Sequence, residues 1–148
     1  MAPQIKITAG PFTFIADLKT VQAPLTCAAF VKLLPFHQKL IQTRWSGESA
    51  WIPLGSLQIG VEAENAKEKP APGELLFYPQ GVSETEILFP YGQTSFSSKF
   101  GPLQGNSFLQ IVKGQENLSE LGRLVLWEGA QNISFELNLK ASYPQDYA

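Results

Sequence analysis

The sequence predicts a mainly β domain of about six to eight strands with two short helices, most simply closed into a barrel. Three observations carry that expectation. Short apolar runs alternate with polar residues at period two. Eleven prolines and twelve glycines stand between those runs as punctuation. Only two stretches carry the spacing of an amphipathic helix. Closing antiparallel strands into a barrel removes exposed edges, and the helices would then plug the open ends.

The first strands are expected over 4–8 and 11–18, around a turn at Ala9-Gly10-Pro11. In the second, Phe12, Phe14, Ala16 and Leu18 share one face, with Thr13 and Asp17 on the other. Residues 24–34 read as a helix. Pro24 suits its first position, Cys27, Phe30, Val31 and Leu34 form one stripe, and Pro35 ends it. Residues 36–45 and 48–54 read as a hairpin over Ser46-Gly47. Residues 55–73, charged and then rich in proline, read as a mobile or functional loop.

Strands follow over 74–79 and 84–89, a long loop over 92–106, and a strand over 107–113. A second helix over 117–128 aligns Leu118, Leu121 and Val125 and is closed by Gly129. The last strand spans 132–140, with Ile133, Phe135, Leu137 and Leu139 inward. There is no internal repeat and no linker. One domain is expected over 4–140, with 141–148 a loose C-terminal tail.

Composition narrows the function. The 148 residues carry 44% apolar and 16% charged side chains and a net charge of −2. No cluster of lysine or arginine offers a footprint for nucleic acid or an anionic membrane. The N-terminus does not read as a signal peptide, and no apolar run is long enough to span a membrane. The single Cys27 cannot form an internal disulfide. These features point to the cytoplasm.

Several segments resemble a known family. Ala23-Pro24-Leu25-Thr26-Cys27-Ala28-Ala29-Phe30 is similar to the first helix of cyclophilins. Pro72-Gly73-Glu74-Leu75-Leu76-Phe77-Tyr78-Pro79 resembles a run found in bacterial cyclophilin-like domain proteins. Arg44-Trp45-Ser46-Gly47-Glu48 and Gly81-Val82-Ser83-Glu84-Thr85-Glu86-Ile87-Leu88 resemble one uncharacterised bacterial subgroup of these, the DUF3830 family, and Gly105-Asn106-Ser107-Phe108 fits the same pattern. The resemblance spans residues 4–140. It implies a closed, cyclophilin-like barrel of eight strands with a helix at each end. It implies no activity, because fold does not fix function. Cyclophilins isomerise peptidyl-prolyl bonds with an arginine just after a Phe-His pair. Here Phe36-His37 is followed by Gln38, which lacks the cationic fork of arginine. Leu40-Ile41-Gln42 and Glu84-Thr85-Glu86 stand where two other active-site segments would be. The resemblance therefore argues against a typical proline isomerase. Related domains occur inside bacterial enzymes that act on ureas and lactams.

The candidate chemistry is sparse. Glu84 and Glu86 are two apart on an expected strand and so share a face. Either they line the barrel mouth, where one carboxyl is pushed toward its neutral form, or they lie outward opposite Arg44 and a lysine. Arg44 can bind a carboxylate ligand or pair with one of these glutamates. Trp51 and Tyr78 can form an aromatic wall or belong to the core. Tyr91, Ser95 and Lys99 belong to or border the 92–106 loop, which can cover the mouth or merely connect. Asn106 reads as a turn residue. The lone His37 cannot make a multi-histidine site, Cys27 reads as core, and neither a metal nor a cofactor is expected.

Two functions remain. In the first, a small polar metabolite bearing a carboxylate or amide binds, or is acted on, at one barrel end against Arg44, Trp51, Tyr78, Glu84, Glu86 and Tyr91. In the second, the domain is a protein-interaction module without catalysis. Self-association into a homo-oligomer is expected in either case. Convergence of Arg44, Glu84 and Glu86 on one concavity favours the first, and their spread over a convex face favours the second.

Overall fold

Alternation along the first two strands sets the fold in motion. The computed structural model describes residues 3–139. In β1 (Gln4–Ala9) every second side chain, Ile5, Ile7 and Ala9, is fully buried, and in β2 (Phe12–Leu18) the same holds for Phe14, Ala16 and Leu18. The two pair antiparallel, with Ile5 opposite Ala16 and Ile7 opposite Phe14.

Helix α1 (Pro24–Val31) follows, then β3 (Phe36–Gln42), a single 3-10 turn at Arg44–Ser46, and β4 (Gly47–Gly55). A two-residue strand β5 (Ala66–Lys67) precedes β6 (Glu74–Tyr78) and β7 (Thr85–Thr94). The short hairpin β8 (Ser97–Ser98) and β9 (Gly101–Pro102) leads into β10 (Gly105–Lys113). Helix α2 (Leu118–Glu128) and β11 (Gln131–Leu137) complete the described chain.

Eight strands form one antiparallel sheet in the order β2-β1-β11-β3-β4-β7-β6-β10, and β10 pairs back onto β2. The barrel is therefore closed, and β5 adds only a short flap on β10. Its interior is packed side chains. Phe30 of α1 plugs one end, edge-on to Phe36, Phe108 and Phe135 at centroid separations of 6.1, 5.0 and 5.3 Å. Helix α2 covers the other end with Leu118, Leu121 and Val125, and Gly129 at φ 96° ends it. At Gly122 the Tyr91 ring lies against the helix backbone, where any Cβ would overlap it. No helix among the described residues is long and apolar enough to cross a membrane.

Several expected boundaries are corrected. Helix α1 stops at Val31, which is 37% exposed, because backbone N–H groups of Leu33 and Leu34 turn to Phe30 and Val31 carbonyls. Strand β3 ends at Gln42, since residues 44–46 tighten into a 3-10 turn. The expected loop over 92–106 is mostly strand and hairpin. Asn106 is a buried strand residue and not a turn residue. The last strand, β11, ends at Leu137: Ile133 and Phe135 are buried, Leu137 is 40% exposed at the strand's end although it pairs with the inward Ile5, and Leu139, past the strand, is 51% exposed. The expected tail at 141–148 lies outside the described residues.

The 55–73 segment is fastened along its second half. Asn106 Nδ2 donates to the Glu62 carbonyl at 2.9 Å and to Thr26 Oγ1 at 3.0 Å, and its Oδ1 accepts from the Glu64 N–H at 3.1 Å. Ala23 at the head of α1 offers no side-chain cap. Glu64 supplies one from a distance, its Oε1 accepting the Thr26 N–H at 2.6 Å. We expect Glu64→Ala to lower stability by about 1 kcal/mol, as loss of an N-cap does, and Glu64→Gln to lose less. Urea unfolding of the three proteins measures this, and equal midpoints would show the cap to be replaceable by water.

Candidate functional site

The outer face of β4, β7 and β6 carries a second apolar cluster, outside the barrel core. Tyr78 lies opposite Glu86, Leu76 opposite Leu88, and Leu88 opposite Trp51. Phe96 and Leu103, which flank the β8–β9 hairpin, fold back over Leu76, Tyr78 and Leu88. The hairpin is anchored by the Ser97 N–H to Ser46 Oγ at 3.0 Å. Between it and the sheet lies a cavity of about 470 Å³ lined by Trp45, Trp51, Glu84, Glu86, Ser98 and Lys99, with Ser83 and Ser97 at its margin.

Glu86 is only 4% exposed, yet its carboxyl has no hydrogen bond or ion pair among the described residues. Burial first, and then the nearby charge of Glu84, push it up to about 8. At neutral pH it is a buried carboxylic acid with an O–H to give. Beside it, Trp51 Nε1 is buried with no acceptor, the one such side-chain atom among the described residues. Trp45 stands edge-on to Trp51 at 5.9 Å and 80°, and is 57% exposed.

A second buried glutamate provides the contrast. Glu74 is also 4% exposed, but Lys19 Nζ, Lys67 Nζ and Ser107 Oγ all donate to its Oε2, at 2.9, 2.7 and 2.6 Å. The Ala71 N–H donates to Oε1 at 2.9 Å. Burial alone would raise its pKa, but these donors outweigh it and hold the group near 2. Glu74 is satisfied by the fold, and Glu86 is not.

The expected site residues divide into two groups. Trp51, Glu84 and Glu86 meet in the cavity above. Tyr78 does not line it but is buried in the adjacent apolar cluster, with its hydroxyl accepting the Val82 N–H at 2.9 Å. Arg44 and Tyr91 line a different cavity, at the α2 end of the barrel. The reason is facing. Arg44 and Trp45 leave the same 3-10 turn toward different cavities, and only Trp45 is directed to the glutamates. Two expectations are corrected by this. Arg44 does not join Glu84 and Glu86, and the glutamate cavity lies on the barrel's outer face rather than in its mouth. Nor does Arg44 pair with either glutamate from outside.

Trp45 joins the glutamates although sequence reasoning did not place it there, and so does Lys99, which that reasoning put on a loop able to cover the barrel mouth. The adjacent Arg44 and Trp45 point to different cavities, as residues of opposite facing would. Gln38 lies on β3 opposite Ile133, in an open groove with His37 and Lys39. Cys27 is buried in the core, and burial followed by the charge of Glu64 pushes its thiol up to about 11. Among the described residues no cluster of three metal-ligating side chains occurs.

An eight-stranded antiparallel barrel, closed on itself and covered by a helix at each end, is a cyclophilin-like fold. Solved structures agree. The structure of McbB in complex with tryptophan superposes with a TM-score of 0.69 at 19% identity, covering 91% of this chain and 45% of that one. The chain thus spans less than half the length of McbB. The solution structure of the hypothetical protein AF2241 from Archaeoglobus fulgidus superposes with a TM-score of 0.56 at 18% identity, covering 91% of this chain and 94% of that one. The chain belongs to the DUF3830 family, described as a protein of unknown function, whose profile it matches over residues 5–137. No curated protein matches its sequence.

Proposed function

We propose that this protein binds a small, flat, carbonyl-bearing molecule of the amide, lactam or cyclic urea type in the cavity over β4, β7 and β6. The observation that carries this is the buried, unpartnered carboxyl of Glu86 opening into an aromatic-lined space. The Glu86 O–H and the Trp51 N–H are two donors without acceptors, and a carbonyl oxygen supplies one. The exposed Glu84 carboxylate accepts from an amide N–H. The two indoles offer apolar faces for a flat body. A free carboxylate fits less well, because Glu84 repels it, Arg44, the expected counter-charge, is elsewhere, and the lining cation Lys99 lies over the Phe100 ring.

Calorimetric and thermal-shift titration tests this with amides, lactams, cyclic ureas, carboxylates and tryptophan, the amino acid present in the McbB structure. A compound at a hundred times its dissociation constant raises stability by about 2.7 kcal/mol. Trp51→Phe keeps an aromatic ring and removes the N–H, so it should weaken the hit about tenfold or more, and Glu86→Leu should do the same. A hit retained in both variants, or no hit in the panel, overturns the reading.

The rim favours a second reading, in which a segment of another protein enters the cavity. Trp45, Val82 and Phe100 are 57%, 65% and 61% exposed, Trp45 lining the cavity, Val82 beside its margin residue Ser83 and Phe100 next to its lining residue Lys99. Pull-down with wild type and Trp51→Phe separates the two.

A further inference from the structure

The geometry points to a second binding site, for a small oxyanion of the carboxylate class, at the α2 end of the barrel between Arg44 and Arg123. A cavity of about 520 Å³ lies there, bounded by the turn before β4, the end of β7 and the outer side of α2. Arg44 comes from the turn and Arg123 from the helix, so two distant parts of the chain bring cations to one space. Among the described residues Arg44 has no ion pair and no side-chain hydrogen bond. Arg123 is held only through Nε, at 3.4 Å from Glu120, and both of these side chains are more than half exposed. Its two terminal nitrogens have no partner among the described residues.

The remaining polar groups add donors. The Tyr91 hydroxyl donates to Gln42 Oε1 at 3.0 Å, which leaves the Gln42 amide nitrogen free to give its hydrogens. Ser119 contributes a hydroxyl. The one lining carboxylate, Glu48, is partly occupied, since its Oε1 accepts the Gln93 N–H at 2.8 Å. Donors therefore outnumber acceptors, and two guanidinium groups lining one cavity favour an anion there. A planar carboxylate matches either fork in bidentate fashion. This site differs in kind from the Glu86 cavity, which favours a neutral molecule, and it stands or falls independently of it.

The test is titration with malonate and, separately, inorganic phosphate at constant ionic strength, followed by amide chemical shifts. It uses wild type, Arg44→Met, Arg123→Met and the charge-matched surface variant Lys6→Met. Arg44 and Arg123 are exposed and the Lys6 side chain is 44% exposed, so each variant should fold. Saturable binding is expected in wild type and Lys6→Met, weakened about tenfold in each arginine variant. Malonate is expected to bind more tightly than phosphate, and the reverse order overturns the carboxylate assignment. Equal responses in all four proteins, or no saturable response in wild type, overturn the site itself.

Discussion

Replacing Glu86 with glutamine is expected to make the protein more stable at neutral pH. In the unfolded chain this carboxyl ionises near 4.5, and in the fold it does so only near 8. Between those values the unfolded state has lost its proton and the folded state keeps it, so stability falls as pH rises through that window. At about 1.4 kcal/mol for each unit, the penalty reaches about 3 kcal/mol at pH 7. Glutamine has the same shape and no proton to lose. Glu86→Gln should therefore gain on wild type progressively from pH 5 to pH 8 and match it near pH 4. Thermal or urea unfolding across that range decides the matter. An unchanged pH slope would mean that the ionised carboxylate finds a partner in the fold. A group that costs stability at working pH and satisfies nothing inside the protein is a common mark of a site held ready for a ligand.

Removing the other buried glutamate should have the opposite sign. Glu74→Ala leaves Lys19 and Ser107 without their shared acceptor and Lys67 without its partner. Loss of one member of a buried ion pair costs about 3–5 kcal/mol, and the half-exposed Lys67 places this case near the lower figure. The pKa of Glu74 is depressed, so its contribution is present above pH 4.5 and disappears as pH falls toward 2. Taken together, the two glutamates place their joint optimum near pH 4.5, with Glu74 failing below it and Glu86 opposing the fold above it. Urea unfolding of Glu74→Ala at pH 7 measures the first claim. A loss under about 1 kcal/mol would show that the network behaves as exposed surface pairs do.

Much of the barrel was legible because burial in a strand follows a period of two. Ile5, Ile7, Phe14 and Ala16 are inward as their alternation requires, and α2 shows its stripe of Leu118, Leu121 and Val125. The limits of that reasoning appear at Leu137 and Val31, where the pattern continues past the edge of what it packs against. The candidate site was legible in part. Placing Glu84 and Glu86 together needs only local spacing, and the structure brings both to one cavity. Separating them from Arg44 needs the facing of the 3-10 turn at Arg44–Ser46, which is not strand and so does not follow the period of two. Alternation also shows that Trp51 and Glu86 leave the core face, but it cannot show that residues 95–103 fold back to cover that face. Lys99 and Trp45 were hidden for the same reason. Glu74 was hidden differently. It stands at the head of an otherwise apolar strand, and its partners Lys19, Lys67 and Ser107 come from three separate segments.

The seating of β11 between β1 and β3 has a consequence for synthesis. Ile5 pairs with Leu137, and Phe36 with Phe135, so the last of the described strands holds together two made early. Until residues 131–137 leave the ribosome, β1 and β3 each present an unpaired edge, and the Phe30 plug lacks its Phe135 neighbour. Hairpins such as β1–β2 can form as they emerge, but the ring cannot shut. A nascent chain of this kind waits, open along one seam, for β11, and its unpaired edges are most exposed to aggregation during that wait.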